Sequence, residues 1–211
     1  PQMAAKLDVL VEDSAIADDH GVAVFRKRRM DEGVRQVAST RRGSGAFGVT
    51  PFELDPRVGK RVLLHAYETV SALENARVGV QVATYLTLRA DKIEVQVLYN
   101  FFNLDRTAWV PTQVRVAFPP LVSGFVAHDL GNAVRVDDIS AAGFSLVGIV
   151  SPGKSELDYA YEIPRAPGGP QTLTLEMPPR TAILVLPLTS TYWTMSLYSL
   201  GRYLVIASGG S

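Results

Sequence analysis

Val80 to Phe102 reads VQVATYLTLRADKIEVQVLYNFF. Apolar residues fall on every second position in two runs, which meet at Ala90-Asp91-Lys92. A strand points successive side chains to opposite faces, so this spacing buries one face of each strand and leaves the other to solvent. The stretch therefore predicts a long antiparallel hairpin. On the returning strand Ile93, Val95, Val97 and Tyr99 are expected inward, with Glu94, Gln96, Leu98 and Asn100 on the opposite face.

The same pattern continues in both directions. Upstream, Lys6 to Val11, Val22 to Phe25, Val34 to Thr40, Ala46 to Leu54 (interrupted at Pro51) and Arg61 to Tyr67 read as strands. A turn at Asp18-Asp19-His20-Gly21 joins the first two, because Gly accepts positive φ and Asp bonds nearby backbone amides. Thr69 to Arg77 is the least β-like stretch and marks a soft boundary. Downstream, Val114 to Phe118 is stopped by Pro119-Pro120. Short strands are expected over 125–128, 133–136 and 144–150, then Leu157 to Ile163 and 173–177. Ile183-Leu184-Val185-Leu186, a continuous apolar run, suits a central strand; 194–200 and 203–207 follow. No 3.6-residue stripe interrupts these runs. The expected fold is all-β: antiparallel β-sandwiches of immunoglobulin-like or transthyretin-like type, two in tandem, over residues 1–70 and 77–211.

Composition narrows the chemistry. The 211 residues carry 21 basic and 21 acidic side chains, so no whole-chain attraction to nucleic acid or anionic lipid is indicated. No apolar run approaches the roughly 18 residues that a spanning helix needs. The N-terminal PQMAAK lacks the apolar core of a signal peptide, which is expected to be absent or already removed. Cysteine is absent, which excludes disulfides, thiolate metal sites and cysteine nucleophiles. That fits export without oxidative folding, although cytosolic proteins can lack cysteine too.

Each motif with chemical potential has a simpler reading beside it. Gly43-Ser44-Gly45-Ala46-Phe47-Gly48 is a literal G-x-G-x-x-G, but Val49-Thr50-Pro51 after it does not start the helix a dinucleotide site requires. A loop tip is favoured. His20, His65 and His128 lie apart, without metal-ligand spacing. Asp13, Asp18 and Asp19 match no calcium loop, and turn capping explains them. Ser44 and Ser123 have adjacent glycines but no G-x-S-x-G elbow. Glu94, Asp158 and Glu162 are the acids a glycosidase reading would use, although outward strand acids are ordinarily solvated. Trp109, Tyr192, Trp193 and Tyr198 are the aromatics for a sugar-stacking platform, against core packing. The strongest local charge feature is Arg26-Lys27-Arg28-Arg29, with Arg35, Arg41 and Arg42 near it in sequence. It is a candidate contact for anionic polysaccharide, lipid headgroups or an acidic partner, although a solvated loop is the commoner explanation for such a run.

Residues 16–25, IADDHGVAVF, resemble the T-D-x-x-G-x-A-x-F hairpin of transthyretin-like and carboxypeptidase-regulatory-like domains. Asp18 and Gly21 sit at the turn positions and Ala23 and Phe25 at inward ones; Ala17 replaces the Thr, and the first strand of such domains has no counterpart. The second half is similar to modules that follow these domains in exported proteins of Gram-negative bacteria, including myxobacteria. Asn103, Phe118-Pro119, Gly143-Phe144-Ser145-Leu146, Pro152-Gly153 and Tyr159-Ala160-Tyr161-Glu162-Ile163-Pro164 carry that likeness. The resemblance implies an extracytoplasmic, non-enzymatic structural or binding module with a protein or glycan partner and no cofactor. A front edge left without its strand would invite strand addition. The alternative is a carbohydrate-binding or carbohydrate-active sandwich; a third reading is a subunit of a larger surface assembly.

Overall fold

The computed structural model describes residues 13–26, 34–55, 57–112, 114–128 and 134–165, and backbone strands at 171–176, 181–185, 193–198 and 202–207. The strands run β1 (Arg35–Gln36), β2 (Ser39–Arg42), β3 (Gly45–Gly48), β4 (Phe52–Glu53), β5 (Thr69–Val70), β6 (Val78–Leu88), β7 (Lys92–Asn103), β8 (Ala108–Trp109) and β9 (Arg115–Ala117). They continue with β10 (Ser123–His128), β11 (Val134–Ser140), β12 (Gly143–Gly148), β13 (Gly153–Pro164), β14 (Gln171–Glu176), β15 (Thr181–Val185), β16 (Trp193–Tyr198) and β17 (Arg202–Ala207). The helical content among the described residues is one 3-10 turn, Leu73–Asn75, inside the stretch read as a boundary. The chain is all-β.

Two compact units form, Pro1–Gln36 with Pro51–Arg61, and Val37–Thr50 with Val62–Ser211. In the first, β1 pairs with β4. The Asp18 turn forms as its chemistry predicts: Asp18 Oδ1 accepts from the backbone N–H of His20 and of Val22, both at 2.9 Å. Val22 to Phe25 forms no ladder, and Val22, Val24 and Phe25 are exposed. Lys6 to Val11, its expected partner, lies outside the described residues.

In the second unit the quoted stretch is the hairpin β6–β7, registered from Val78 opposite Asn103 to Leu88 opposite Ile93. β13 pairs along the whole of β7, from Gly153 opposite Asn103 to Pro164 opposite Lys92. These long strands centre a five-stranded sheet of order β10-β13-β7-β6-β15. A three-stranded sheet, β11-β12-β9, packs on its inner face. Ile93, Val95, Val97, Tyr99 and Phe101 enter this core from β7, and Leu157, Tyr159, Tyr161 and Ile163 enter from β13. Val134, Phe144, Leu146 and Val116 meet them from the other sheet. That is a β-sandwich, and each large buried side chain contributes roughly 1.5–3 kcal/mol of hydrophobic stabilisation.

Beside the Val22 to Phe25 strand, which does not form, three further sequence expectations are corrected. Residues 61–67 form no strand; Leu64, Ala66 and Tyr67 instead pack as a partly buried strip against Phe47, Ala108 and Ile149. Alternation reports a buried face, and here that face is buried without a neighbouring ladder. Thr181–Val185 ends the five-stranded sheet rather than lying within it. It also runs parallel to β6, where antiparallel pairing was expected throughout. A continuous apolar run indicates two covered faces, not which neighbours the backbone finds.

One core residue breaks the apolar rule. Thr84 is fully buried on the inner face of β6, and its Oγ1 has no hydrogen-bond partner. Thr84→Val replaces that hydroxyl with a methyl in nearly the same shape. Removing an unsatisfied buried group is expected to stabilise the protein by about 1 kcal/mol, or roughly 2–4 °C in Tm. A lower Tm in a thermal melt would show that the hydroxyl finds a partner in solution.

Candidate functional site

The residues singled out from the sequence go to different places. Arg26 is exposed in the first unit, while Lys27, Arg28 and Arg29 lie outside the described residues. Arg35, also in the first unit, is 3.9 Å from Glu53. In the second unit Arg41 and Arg42 stand on β2. The Arg42 guanidinium is already engaged: Nε donates to Glu68 Oε1 at 2.8 Å, and Nη2 pairs with the same oxygen.

The glycine-rich string is the β2–β3 hairpin. Arg42 opposes Gly45, leaving Gly43 and Ser44 as the turn. Gly43 has φ +57°, and a Cβ there would collide with the Thr69 hydroxyl. Thr69 Oγ1 accepts the Ser44 backbone N–H at 3.2 Å. A strand, not a helix, follows the glycines, so no helix N-terminus is presented to a phosphate.

The histidines stay separate. His20 is in the Asp18 turn, His65 stacks on Tyr67 at 6.4 Å, and His128 Nδ1 lies 3.2 Å from Asp158. Among the described residues no cluster of three His, Asp or Glu could hold a metal. Trp109 is 3% exposed; its indole N–H donates to the Ser71 carbonyl at 3.2 Å, and its backbone bridges Val150. It belongs to the core, not to a sugar platform. The side chains of Tyr192, Trp193 and Tyr198 lie outside the described residues.

The three acids stand together on the outer face of the five-stranded sheet, each with a partner. Glu94 and Glu162 are directly opposed across β7 and β13. Lys92 Nζ lies between them, 2.6 Å from Glu162 and 3.4 Å from Glu94, and Arg89 reaches Glu94 at 3.0 Å. The Arg89 hydrogen bond holds the Glu94 carboxyl below its ordinary range, and the Glu162 hydrogen bond holds Lys92 above its own. A glycosidase needs one carboxyl kept protonated near neutrality; Glu94 is shifted the opposite way. Asp158 is 3.2 Å from His128 Nδ1 and accepts from Gln96 Nε2 at 3.3 Å. At the far end Lys154 pairs with Glu156 at 2.5 Å.

Between these pairs lies the rest of the face. Register places Tyr85, Gln96, Ala160 and Val126 in one row across β6, β7, β13 and β10. Ala83, Leu98, Asp158 and His128 form the next row, and Gln81, Asn100 and Glu156 the one beyond. Tyr85 is 43% exposed and Val126 51%. The sequence had put Gln96 and Asn100 on this face. Tyr85 was missed, although its position between Thr84 and Leu86 in the same alternation points it outward.

The edges are less inviting. β10 is bulged between Ser123 and Val126, and β11 between Asp137 and Ser140. Bulges and edge charges such as Arg135, Asp137 and Asp138 hinder strand addition. Beside these edges a cavity of about 300 Å³ is lined by aliphatic Ala127, Val134, Val136, Val147 and Leu157, with Arg135 and Asp137 at its wall.

Compared with known proteins, the sequence matches no family model and no curated relative.

Proposed function

We propose that the chain is a non-enzymatic binding module that presents the outer face of its five-stranded sheet to a partner in the bacterial envelope or outside the cell. The observation that carries this is the outer face itself. On it Lys92 and Lys154 are each paired with a carboxylate, and uncharged Tyr85, Gln96 and Val126 are exposed between them, beside the half-buried Ala160. Among the described residues, the ionisable groups inside the sandwich are the tyrosines Tyr99, Tyr159 and Tyr161, which burial keeps protonated. Neither set offers a poised acid, base or nucleophile. The extracytoplasmic placement rests on the sequence resemblance and on a cysteine-free chain.

The test is retention of envelope material, protein and polysaccharide alike, on the immobilised chain and on a Tyr85→Arg/Val126→Arg variant. Both positions are exposed, so the variant is expected to fold and to retain at least tenfold less. Equal retention by the two would remove this face from the reading. Turnover of glycoside or ester substrates by the purified chain would replace binding with catalysis.

A further inference from the structure

We propose that residues 62–67 are an open strand edge that receives residues 22–25 of a second copy of the chain; this goes beyond the sheet-face reading and does not depend on it.

The acceptor is a strand in everything but its ladder. Its exposure alternates: Leu63 and His65 are exposed, and Val62, Leu64 and Ala66 are partly buried between them. It runs without turn or bend straight into β5. Leu64, Ala66 and Tyr67 rest on Phe47, Ala108 and Ile149. Yet among the described residues no backbone N–H or C=O of 62–67 has a backbone partner. Pairing begins only at Glu68, whose carbonyl accepts the Ala108 N–H at 2.7 Å, and repeats at Val70, which accepts from Val110 at 2.9 Å. Even-numbered residues therefore face β8. Backbone groups alternate sides along a strand, so those of Leu63, His65 and Tyr67 point away from β8.

That geometry selects the class of ligand. Partly buried backbone groups are ordinarily paired. Here they recur at every second residue, about 7 Å apart. A small molecule cannot match such a row; another extended backbone does. The sequence pattern of 61–67 is that of a strand, and the missing half of that strand is its neighbour.

The chain carries a matching strand. Residues 22–25, Val-Ala-Val-Phe, form no ladder and expose Val22 and Val24, the latter 63%. The Asp18 turn fixes where this segment begins, since the Asp18 N–H donates to the Val22 carbonyl at 3.0 Å. Leu63 is 75% exposed. Laying the segment along 62–67 sets Val22 and Val24 beside Leu63 and takes all three from water. Donor and acceptor belong to different compact units of the chain. Each copy offers both, so a reciprocal exchange makes the contact twice and closes a dimer. The segments are short, so the association is expected to be weak.

The experiment is sedimentation velocity of the full chain from about 5 to 500 µM, where a dimer is expected with Kd on the order of 10–100 µM. Val24→Pro and His65→Pro each remove one ladder N–H, from the donor and from the acceptor, and each is expected to raise Kd at least tenfold. Cross-linking keeps the test independent of how the prolines fold. The chain has no cysteine, so mixing Val24→Cys with Leu63→Cys or with His65→Cys under oxidising conditions is expected to give a mixed disulfide in at least one of the two pairs. Val24→Cys mixed with Leu104→Cys, an exposed position elsewhere, is the control. A chain that stays monomeric throughout the range, a dimer that survives both prolines, or cross-linking no greater than the Leu104→Cys control would overturn the inference.

Discussion

Raising the pH above about 10 is expected to unfold the sandwich steeply, because its core is built on tyrosine hydroxyls that burial keeps protonated. Tyr99 and Tyr159 are fully enclosed, and their hydroxyl oxygens lie 2.8 Å apart. Tyr159 packs on Phe144 at 5.0 Å and beside Tyr161, stacked at 6.2 Å. Desolvation pushes all three phenols above their ordinary range, outweighing for Tyr99 the opposing effect of the Tyr159 hydrogen bond. In the unfolded chain these groups lose their protons near pH 10, while the folded chain keeps them. The native state then binds more protons, so stability is intact below pH 10 and falls as pH rises through the window above it. Each buried tyrosine withdraws up to about 1.4 kcal/mol per pH unit there. Urea unfolding at a series of pH values measures the slope. Tyr99→Phe/Tyr159→Phe is expected to flatten it by about two tyrosines' share while changing stability little at pH 7, since both hydroxyls leave together. Tyr159→Phe alone strands the Tyr99 hydroxyl and is expected to cost about 1–3 kcal/mol at neutral pH. An alkaline slope unchanged in the double variant would mean that the tyrosines reach solvent and that the hydroxyl pair is not sealed in the core.

Much of this architecture was legible because side-chain burial in sheets writes itself into the sequence with period two. Ile93 to Phe101 and Leu157 to Ile163 alternate, and both sets are buried. The framework residues quoted for the second half also have identifiable structural tasks. Asn103 is 3% exposed, and its Nδ2 donates to the Thr107 and Val150 carbonyls at 2.8 and 2.9 Å, closing the loop after β7. Gly153 takes φ +100° at the start of β13. Strand neighbours were not legible, since pairing joins residues far apart in sequence and the alternation of one strand carries no label for its partner. Hence Thr181–Val185 was given antiparallel company and a central place, and it has neither. The face of interest was legible only as a complement. The rule that sent Val95 and Val97 inward sent Gln96 outward, yet nothing in the sequence shows that Glu94 and Glu162 are neighbours sharing Lys92. Lone charges therefore drew notice to the arginine run, when on this sheet the informative feature is that the charges are paired.

Gly143→Ala is expected to be the most damaging single methyl addition in the second unit, costing roughly 3 kcal/mol or more and lowering Tm by at least about 6 °C. Gly143 opens β12 with φ +138°, a conformation that an L side chain resists. The space is also closed. A Cβ built there would overlap the Val116 carbonyl oxygen and lie 2.8 Å from Ala117 Cα. Both are backbone atoms of β9, so no rotamer change relieves the clash. The strand would have to move, and Gly143 pairs with Ala117 in that ladder while the Phe118 N–H donates to Ala142 O at 3.1 Å. Displacing β9 loosens Val116 and the Phe118–Phe144 contact at 5.6 Å, which carries the strain into the aromatic core. Two controls separate the causes. Gly153 has φ +100° with nothing within 4 Å of a Cβ, so Gly153→Ala isolates backbone strain, at about 1 kcal/mol. Gly59 has neither positive φ nor a neighbour within 4 Å, so Gly59→Ala is expected to be neutral or slightly stabilising. The order of cost in denaturant melts is therefore Gly143, then Gly153, then Gly59. Gly143→Ala costing no more than Gly153→Ala would show that β9 and β12 do not approach as closely as the sandwich requires.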